Sequence, residues 1–319
     1  MKLILGQRIL CSLISLGPSL HRLPLAAFRK IFELLNAVLG ISPSNKWVSS
    51  SDLMVPVGDH QVAVRVYRPV NAIDVPSVVF FHGGGYVIGG LESHHGFCQR
   101  LAHQTRINVI AVDYRLAPET KFPGQLEDGL AVWNWVVDNA QDLQLDPQKI
   151  GIGGDSAGGN LALVLSMQLF AESLPGKSMK APPAFQFLLY PMVDFRGQSD
   201  SYEKYGSGLL LTKPVAHFFR DSYLNRIEEG PQVAVSPIFA ADFSAAPETI
   251  IVTAEYDVLR DEGLATVDKL QQAGVAVSHL HLDDCTHGFI SLAKFSPTSR
   301  QRVDEVCALL KNALFKSGS

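Results

Sequence analysis

The sequence predicts an α/β protein with a mostly parallel central sheet, flanked by helices and carrying a helical cap. Short, continuously apolar runs of the kind found in buried parallel strands recur along the chain. These runs alternate with segments in which apolar residues recur at helical spacing. The chain has 319 residues, of which 47% are hydrophobic, so it can bury a large core. Strands that alternate with helices build a doubly wound sheet.

The N-terminal part of the chain differs from the rest in its pattern. Residues 1–45 have apolar positions at helical spacing up to Gly40 and Pro43, and we expect helices there. Two strand-like runs follow, 53–57 and 62–67, and their alternation of apolar and polar residues predicts an antiparallel pair with one solvated face.

The remaining elements alternate regularly. The predicted buried strands are 78–81, 109–112, 150–153, 185–189 and 249–253. The predicted helices between them are 96–104, 125–139, 160–169 and 262–273. This order predicts parallel strands joined by helical crossovers.

One segment, 195–236, does not fit the alternation. It is polar and aromatic with a helical piece, 213–224, and it is too long for an ordinary connection. An insertion after a sheet strand would lie above the carboxyl edge, where α/β proteins bind ligands. We therefore expect a core in two parts, 46–194 and 237–319, beneath a cap formed by this insertion and the N-terminal 45 residues.

Composition narrows the classes of function. The formal net charge is −4, which argues against a nucleic-acid partner. The four cysteines are scattered, without a C-x-x-C pair or a disulfide framework, so a reducing compartment such as the cytoplasm is expected. The sequence does not indicate whether the protein is a monomer, and a homodimer is left open.

The first residues could also be an export signal, because Lys2 precedes an apolar run over 9–16. However, Arg8 interrupts the apolar stretch that begins at Leu3, and no A-x-A-like cleavage site follows it. The run is too short to span a bilayer, so no stable membrane insertion is expected. We favour packed amphipathic helices and keep the export leader as the alternative.

A candidate nucleophile lies in the pattern Gly154-x-Ser156-x-Gly158, between an apolar run and a helical segment. This strand, sharp turn and helix form the nucleophile elbow, in which small residues allow a strained backbone at the serine. Ser156 would then be raised above the sheet at the N-terminus of the next helix. Asp155, directly before it, is expected to support the site.

A glycine loop follows the strand at 78–81. The motif is His82-Gly83-Gly84-Gly85, and glycines let a backbone approach closely and turn its N–H groups inward. The amide of Ala157, directly after the candidate nucleophile, is expected to complete an oxyanion hole. Because His82 precedes the serine in sequence, its expected role is to hold the loop, although it is an alternative base.

A carboxylate should follow the serine in sequence. Asp257 lies at the exit of the strand at 249–253 and is the best candidate. Asp261 and Glu262 are expected to stabilise the first turn of the following helix through its dipole. Glu255 is expected to pair with a loop amide or a cation.

The base should come last in the chain. His279 and His281 alternate along a strand and are expected to share one face of it. His287 comes after this strand and directly before a glycine, so it can reach over the sheet edge towards Ser156. We predict that His287 is the base.

Other motifs are interpreted as structural. His94 and His95 have no metal-ligand partners at useful spacing, and no metal is assigned to them. The charges of 113–119 are expected to form a network under the site. The glycines around Ser156 lack the G-x-G-x-x-G spacing of a dinucleotide site, so no cofactor is expected.

Together these residues resemble the hormone-sensitive lipase family of serine esterases, within the α/β-hydrolase superfamily. The resemblance covers about 62–292 and rests on five ordered blocks, 82–85, 114–119, 154–159, 257–263 and 287–289. It implies a cofactor-free carboxylesterase for short- to medium-chain acyl esters, with a helical cap. It also implies Ser156, Asp257 and His287 as the triad, and Gly84 and Gly85 as oxyanion donors.

The chain departs from the family pattern at three positions. Val258 stands where many members have proline, and Gly90 and His95 replace acidic residues that are common after the glycine motif. An amidase, lactonase or lipase could use the same residues, because all of these pass through an oxyanion intermediate. A non-catalytic receptor is a further alternative. Plant gibberellin receptors resemble this family but lack the histidine that this chain has.

Overall fold

The computed structural model describes residues 2–17, 19–40, 46–172 and 181–315. Its centre is one sheet of eight strands in the order β1-β2-β4-β3-β5-β6-β7-β8. The strands are β1 (Val48–Val57), β2 (His60–Pro69), β3 (Ser77–Phe81), β4 (Asn108–Asp113), β5 (Ile150–Asp155), β6 (Phe185–Leu189), β7 (Glu248–Tyr256) and β8 (Val277–Thr286). β1 pairs with β2, and β2 with β4, in antiparallel fashion, and the other neighbours are parallel. The predicted fold class is confirmed.

The helices follow the predicted alternation. They are α1 (Leu5–Leu16), α2 (Leu25–Leu39), α3 (Leu91–Thr105), α4 (Gly124–Asp138), α5 (Ala157–Glu172), α6 (Asp200–Lys204), α7 (Lys213–Tyr223), α8 (Arg260–Gln272) and α9 (Pro297–Leu314). α3 and α5 begin earlier than predicted, and α5 begins directly after Ser156. α6, within the insertion, and α9 were not predicted. Of the helical N-terminal region, residues 41–45 lie outside the described residues.

The sheet is covered on both faces, which explains its continuously apolar strands. In β3, Val79 and Phe81 belong to a core shared with α4 and α5, whereas Val78 and Phe80 belong to a second core shared with α3 and α9. Every residue of β3, β5 and β6 is buried. Because these strands run in parallel, their carboxyl ends meet at one edge of the sheet.

The N-terminal segment packs over that edge together with the insertion. The rings of Phe28 in α2 and Phe219 in α7 stack with centroids 6.2 Å apart. The Arg29 guanidinium donates to the carbonyl oxygens of Val87 and Ala117, each at 2.9 Å, and pairs with the Glu119 carboxylate. Both segments thus contact the core and each other.

None of the helices in the described ranges combines the length and the apolar character needed to cross a membrane.

Candidate active site

Four strand ends bring the predicted site residues to the same edge of the sheet. The glycine loop follows β3, Ser156 follows β5, Asp257 follows β7 and His287 follows β8. These segments are far apart in sequence. The parallel pairing of β3 with β5, and the order β5-β6-β7-β8, place them side by side.

Ser156 occupies the sharp turn predicted from its motif. Its φ of +54° lies in the left-handed region, where a residue other than glycine is strained. Its N–H donates to the Leu189 carbonyl at 2.8 Å, which anchors the turn to β6. A Cβ atom at Gly158 would overlap the backbone carbonyl of Phe81, so the turn requires glycine there. The strain is held in place by packing on both sides.

Ser156, His287 and Asp257 form a continuous hydrogen-bonded chain. The Ser156 Oγ lies 2.9 Å from His287 Nε2, and His287 Nδ1 lies 2.7 Å from Asp257 Oδ2. The other carboxylate oxygen, Asp257 Oδ1, accepts the N–H of Leu259 at 2.9 Å. Asp257 is 1% exposed and Ser156 7%. This geometry fits a nucleophile, a base and an orienting acid.

The glycine loop is fixed from below. The Gly83 N–H donates to Asp155 Oδ1 at 2.7 Å, and the Tyr114 hydroxyl donates to the His82 carbonyl at 2.6 Å. The His82 ring stacks on Tyr114, and its Nδ1 lies 2.8 Å from the Gly83 carbonyl oxygen. Burial lowers the pKa of His82 to about 3, so this ring is neutral. His82 therefore supports the loop and lies outside the serine–histidine chain.

Three backbone amides of the site have no acceptor within the described ranges: those of Gly84, Gly85 and Ala157. Gly84 and Gly85 have φ of +114° and +62°. A Cβ atom at Gly84 would overlap the Ile88 carbonyl, which explains the need for glycine. The cavity above Ser156 is lined by Gly84 and Gly85. Free N–H groups beside a nucleophile fit an oxyanion hole.

His94 is a site residue that sequence reasoning missed. Its Nε2 lies 3.2 Å from Asp155 Oδ1, and it is 4% exposed. Burial alone would raise the pKa of Asp155, but His94 and the Gly83 amide outweigh it, and the pKa is lowered. The sequence feature that could have indicated this role is the position of His94 in the first turns of the helix that follows the glycine loop. His94 thus helps to hold the carboxylate that anchors this loop.

Tyr190 was also missed. It directly follows β6, and its ring centroid lies 4.7 Å from that of His287. Its hydroxyl is 3.5 Å from Asp155 Oδ2. No motif marks this residue, because its role depends only on the neighbouring position of β5, β6 and β8.

The competing histidines lie away from this chain of residues, as predicted. His279 Nε2 and His281 Nδ1 each lie 2.9 Å from the Thr253 hydroxyl, so both occupy one face of β8. The Nδ1 of His95 lies 2.9 Å from the Tyr67 hydroxyl. No group of three or more His, Cys, Asp or Glu side chains among the described residues is arranged to hold a metal ion.

The competing carboxylates lie outside the hydrogen-bonded chain, and one of them has an additional role. Glu255 pairs with Arg260 at 2.8 Å, and Asp261 pairs with the same guanidinium at 2.7 Å. Glu262 lies in the first turn of α8, as predicted, but its side chain also makes contacts outside this helix that the sequence did not predict. It is 5% exposed, and its Oε1 accepts the N–H groups of Val193 at 2.8 Å and Asp194 at 3.2 Å.

The charges of 113–119 form the predicted network. Arg115 pairs with the fully buried Asp128 at 2.7 Å, and Glu119 pairs with Arg29 of α2. These contacts join the loop after β4 to α4 and to the N-terminal segment. None of them reaches Ser156.

A cavity of about 320 Å³ opens above Ser156 and His287. Its apolar walls come from the N-terminal segment and from the insertion. They include Leu10, Ile14, Leu20, Phe28, Phe32, Leu35, Leu209, Leu210, Leu211, Val215 and Phe219. A concave, mostly apolar site with a few converging polar groups is typical of ligand binding.

The fold and the site define an α/β-hydrolase. The family model described as the alpha/beta hydrolase fold matches residues 78–291. An ethyl acetate hydrolase of Pseudomonas putida is 33% identical over 299 residues, which cover 92% of this chain and 91% of that protein. A carboxylesterase of Mycobacterium tuberculosis is 34% identical over 257 residues, or 79% of each chain.

Solved structures agree with these relatives. An alpha/beta hydrolase enzyme from the metagenome of Lake Arreo, Spain, has a TM-score of 0.91 at 32% identity and covers 99% of both chains. A hyperthermophilic esterase from the archaeon Pyrobaculum calidifontis has a TM-score of 0.89 at 32% identity, covering 98% of this chain and 99% of that one. The chain belongs to the hormone-sensitive-lipase-like family of α/β-hydrolases. It is a carboxylesterase.

Proposed function

We propose that Ser156 is the nucleophile of this carboxylesterase, with His287 as its base and Asp257 as the acid that orients the base. The observation that carries the proposal is the hydrogen-bonded chain from Ser156 Oγ through His287 to Asp257, at 2.9 and 2.7 Å. The first distance lies within the range in which a base can take a proton from a hydroxyl, and the second is a hydrogen bond that can orient the base.

The first half of the reaction transfers the acyl group to the enzyme. His287 Nε2 takes the Ser156 hydroxyl proton while Oγ attacks the ester carbonyl carbon. As the intermediate collapses, the bond to the alcohol oxygen breaks and His287 returns the proton to that oxygen. Asp257 accepts a hydrogen bond from Nδ1–H, which keeps Nε2 free as the acceptor and stabilises the imidazolium while it exists.

The intermediate carries a negative oxygen that needs donors. The N–H groups of Gly84, Gly85 and Ala157 are proposed to stabilise it. Ala157 also begins α5, so the positive end of the helix dipole faces the same position. Fixed donors in a buried site need no reorganisation as charge develops.

The second half is hydrolysis of the acyl-enzyme. Water gives a proton to His287 Nε2 and attacks the acyl carbon, and the same oxyanion donors act again. The Ser156–acyl bond then breaks, Oγ regains its proton from His287, and a carboxylic acid leaves. No further reactant is required.

The cavity supports acyl chains of short to medium length. Its volume of about 320 Å³ is near the lower end of the range of about 300–1,000 Å³ that is usual for ligand sites. Its apolar walls come from 1–45 and 195–236, and we propose that these two segments form the cap over a core made of 46–194 and 237–319. Packing of α1 and α2 against the core supports a retained segment rather than an export leader.

The cysteines support a reducing compartment, and we propose a cytoplasmic location. All four, Cys11, Cys98, Cys285 and Cys307, are buried and unpaired. Burial raises the pKa of Cys11 to about 11, so this thiol is a poor nucleophile.

The test combines Ser156→Ala with fluorophosphonate labelling and a substrate panel. Wild-type protein should be labelled at Ser156 and should hydrolyse esters with an optimum at short to medium acyl length. Ser156→Ala should lose labelling and about a millionfold in kcat while keeping its fold. Near-normal ester hydrolysis by this variant would refute the assignment, and faster turnover of amides or emulsified lipid would favour those activities instead.

A further inference from the structure

A second cavity, of about 200 Å³, adjoins the active-site cavity. Asn36, His94 and Ser291 belong to the walls of both, so the two spaces meet at these side chains. The second cavity differs in chemistry from the apolar first one. Polar side chains contribute much of its wall, among them Asn36, Glu92, Ser93, His94, His95 and Ser291.

Asn36 is the most unusual group at this junction. It lies in α2 and is 8% exposed. Its Nδ2 donates to the Phe32 carbonyl at 2.9 Å, whereas its Oδ1 is buried without a hydrogen-bond partner within the described ranges. The orientation of the amide is fixed by chemistry, because only the nitrogen can donate to a carbonyl oxygen. The free group is therefore an acceptor.

A buried acceptor without a partner destabilises a protein, and a ligand that donates to it recovers that free energy on binding. The neighbouring polar groups are mostly engaged. His94 lies 2.9 Å from the Ser93 hydroxyl through Nδ1 and 3.2 Å from Asp155 through Nε2. Glu92 pairs with Arg65 at 2.9 Å. Among the described residues of its wall, the cavity therefore offers a neutral acceptor and no unpaired charge.

We propose that the preferred substrates are esters of diols and other polyhydric alcohols, whose free hydroxyl enters the second cavity and donates to Asn36 Oδ1. This rests on the function proposed above. The apolar walls of the first cavity suit the acyl chain, which leaves the polar cavity for the alcohol part. Ser291 is half-buried at the same junction and supplies a second hydroxyl contact.

The test compares esters that differ only by a hydroxyl in place of a methyl group. We would measure kcat/KM for 2-hydroxyethyl and propyl butyrate, and for 3-hydroxypropyl and butyl butyrate. Wild type should favour the hydroxyl compound by about tenfold in at least one pair, as expected for one added hydrogen bond. Asn36→Leu should reduce that ratio to about one or below. Each ratio is measured within one variant, so it is independent of the amount of active enzyme.

Asn139→Leu is the matched control. Asn139 makes the same local bond, from Nδ2 to the Trp135 carbonyl at 2.8 Å at the end of α4, and it lines neither cavity. It should leave the ratio unchanged. Thermal unfolding of each variant checks that it is folded, and Ser291→Ala provides a second change at the junction, for which a smaller decrease of the ratio is expected.

The outcomes separate this inference from the proposed function. No hydroxyl preference in wild type, or the same preference in Asn36→Leu, would overturn the inference while Ser156-dependent hydrolysis of alkyl esters continued. Absence of Ser156-dependent hydrolysis of every ester would instead refute the proposed function.

Discussion

Glu262 is a carboxyl group held inside the protein by backbone amides. Burial raises its pKa well above the ordinary value, and the nearby Asp194 and Asp257 add to this, although the amides of Val193 and Asp194 oppose it. Its Oε2 has no hydrogen-bond partner within the described ranges. Ionisation of this group is therefore unfavourable in the folded state.

We predict that Glu262→Gln becomes increasingly stable relative to wild type as the pH rises. A carboxyl group whose pKa is raised in the folded state stabilises the protein fully at pH values below its unfolded-state pKa of about 4.3. This stabilisation is lost as the pH rises through the folded-state pKa. Glutamine is neutral throughout and keeps the acceptor for both amides. Melting temperatures of the two proteins, measured from a pH below the unfolded-state pKa of about 4.3 up to alkaline pH, test the prediction.

Glu255→Gln provides a control of opposite sign. Burial opposes the ionised form of Glu255, but the hydrogen bond from Tyr205 and the pairing with Arg260 outweigh it, and its pKa is lowered. This substitution should lower the free energy of unfolding at pH values above the ordinary pKa of a glutamate. The difference from wild type should disappear in acid, where the wild-type side chain is protonated. If the stability differences of the two variants from wild type changed with pH in the same direction, the two pKa assignments would be contradicted.

At the scale of elements, α1 is joined to the end of β8 by Gln7. This side chain is fully buried, and its Oε1 accepts the N–H of Thr286 at 2.9 Å. Its Nε2 donates to the Ser299 hydroxyl at 3.2 Å, at the start of α9. Thr286 directly precedes His287, so the N-terminal helix α1 contacts the backbone that carries the proposed base.

Gln7→Met is expected to lower both stability and the rate of nucleophile labelling. The substitution leaves the Thr286 N–H buried without an acceptor, which should reduce the free energy of unfolding by about 1–3 kcal/mol. A small displacement of His287 should slow fluorophosphonate labelling of Ser156. Labelling is measured well below the melting temperature of the variant.

Ser299→Ala separates positioning from stability. It removes the hydroxyl partner of Gln7 Nε2, whose other contact is the Cys285 sulfur at 3.9 Å, and it keeps the bond from Thr286 to Gln7. It should therefore lower the melting temperature while the labelling rate stays near wild type. Equal labelling rates for wild type and Gln7→Met would show that the link only stabilises the fold.

At the scale of the whole molecule, the N-terminal segment and the insertion line the same cavity although they are far apart in sequence. Phe28 from α2 packs between Phe218 and Phe219 of α7, with ring centroids 6.3 and 6.2 Å away. Phe28 is 4% exposed. Both segments therefore contribute side chains to the wall of the cavity above Ser156.

We predict that deletion of residues 1–40 changes the preferred acyl length and lowers stability, because it removes one wall of the cavity. The point variant Phe28→Ala should act in the same direction, with a loss of about 3–5 kcal/mol in the free energy of unfolding. An acyl-length series and thermal unfolding test both. An unchanged profile and melting temperature after the deletion would show that the segment is a removable leader.

The sequence by itself determined the presence of the sheet and the order in which the candidate site residues follow one another along the chain. Continuous apolar runs such as 78–81, which alternate with helical segments, predict buried strands. The glycine patterns around Ser156 and after His82 are local requirements of backbone geometry. The order of serine, acid and histidine then selected Asp257 and His287 from several candidates. These patterns involve residues that are close in sequence, so they can be recognised without knowledge of the fold.

Only the tertiary structure decided which distant residues support the site. His94, Tyr190 and Gln7 carry no motif, and each acts on a residue brought near by the packing of separate elements. The burial of Glu262 and the free acceptor of Asn36 likewise depend on what surrounds a side chain. The periodicity of apolar residues indicates which face of an element is apolar, but it does not indicate which element packs against that face.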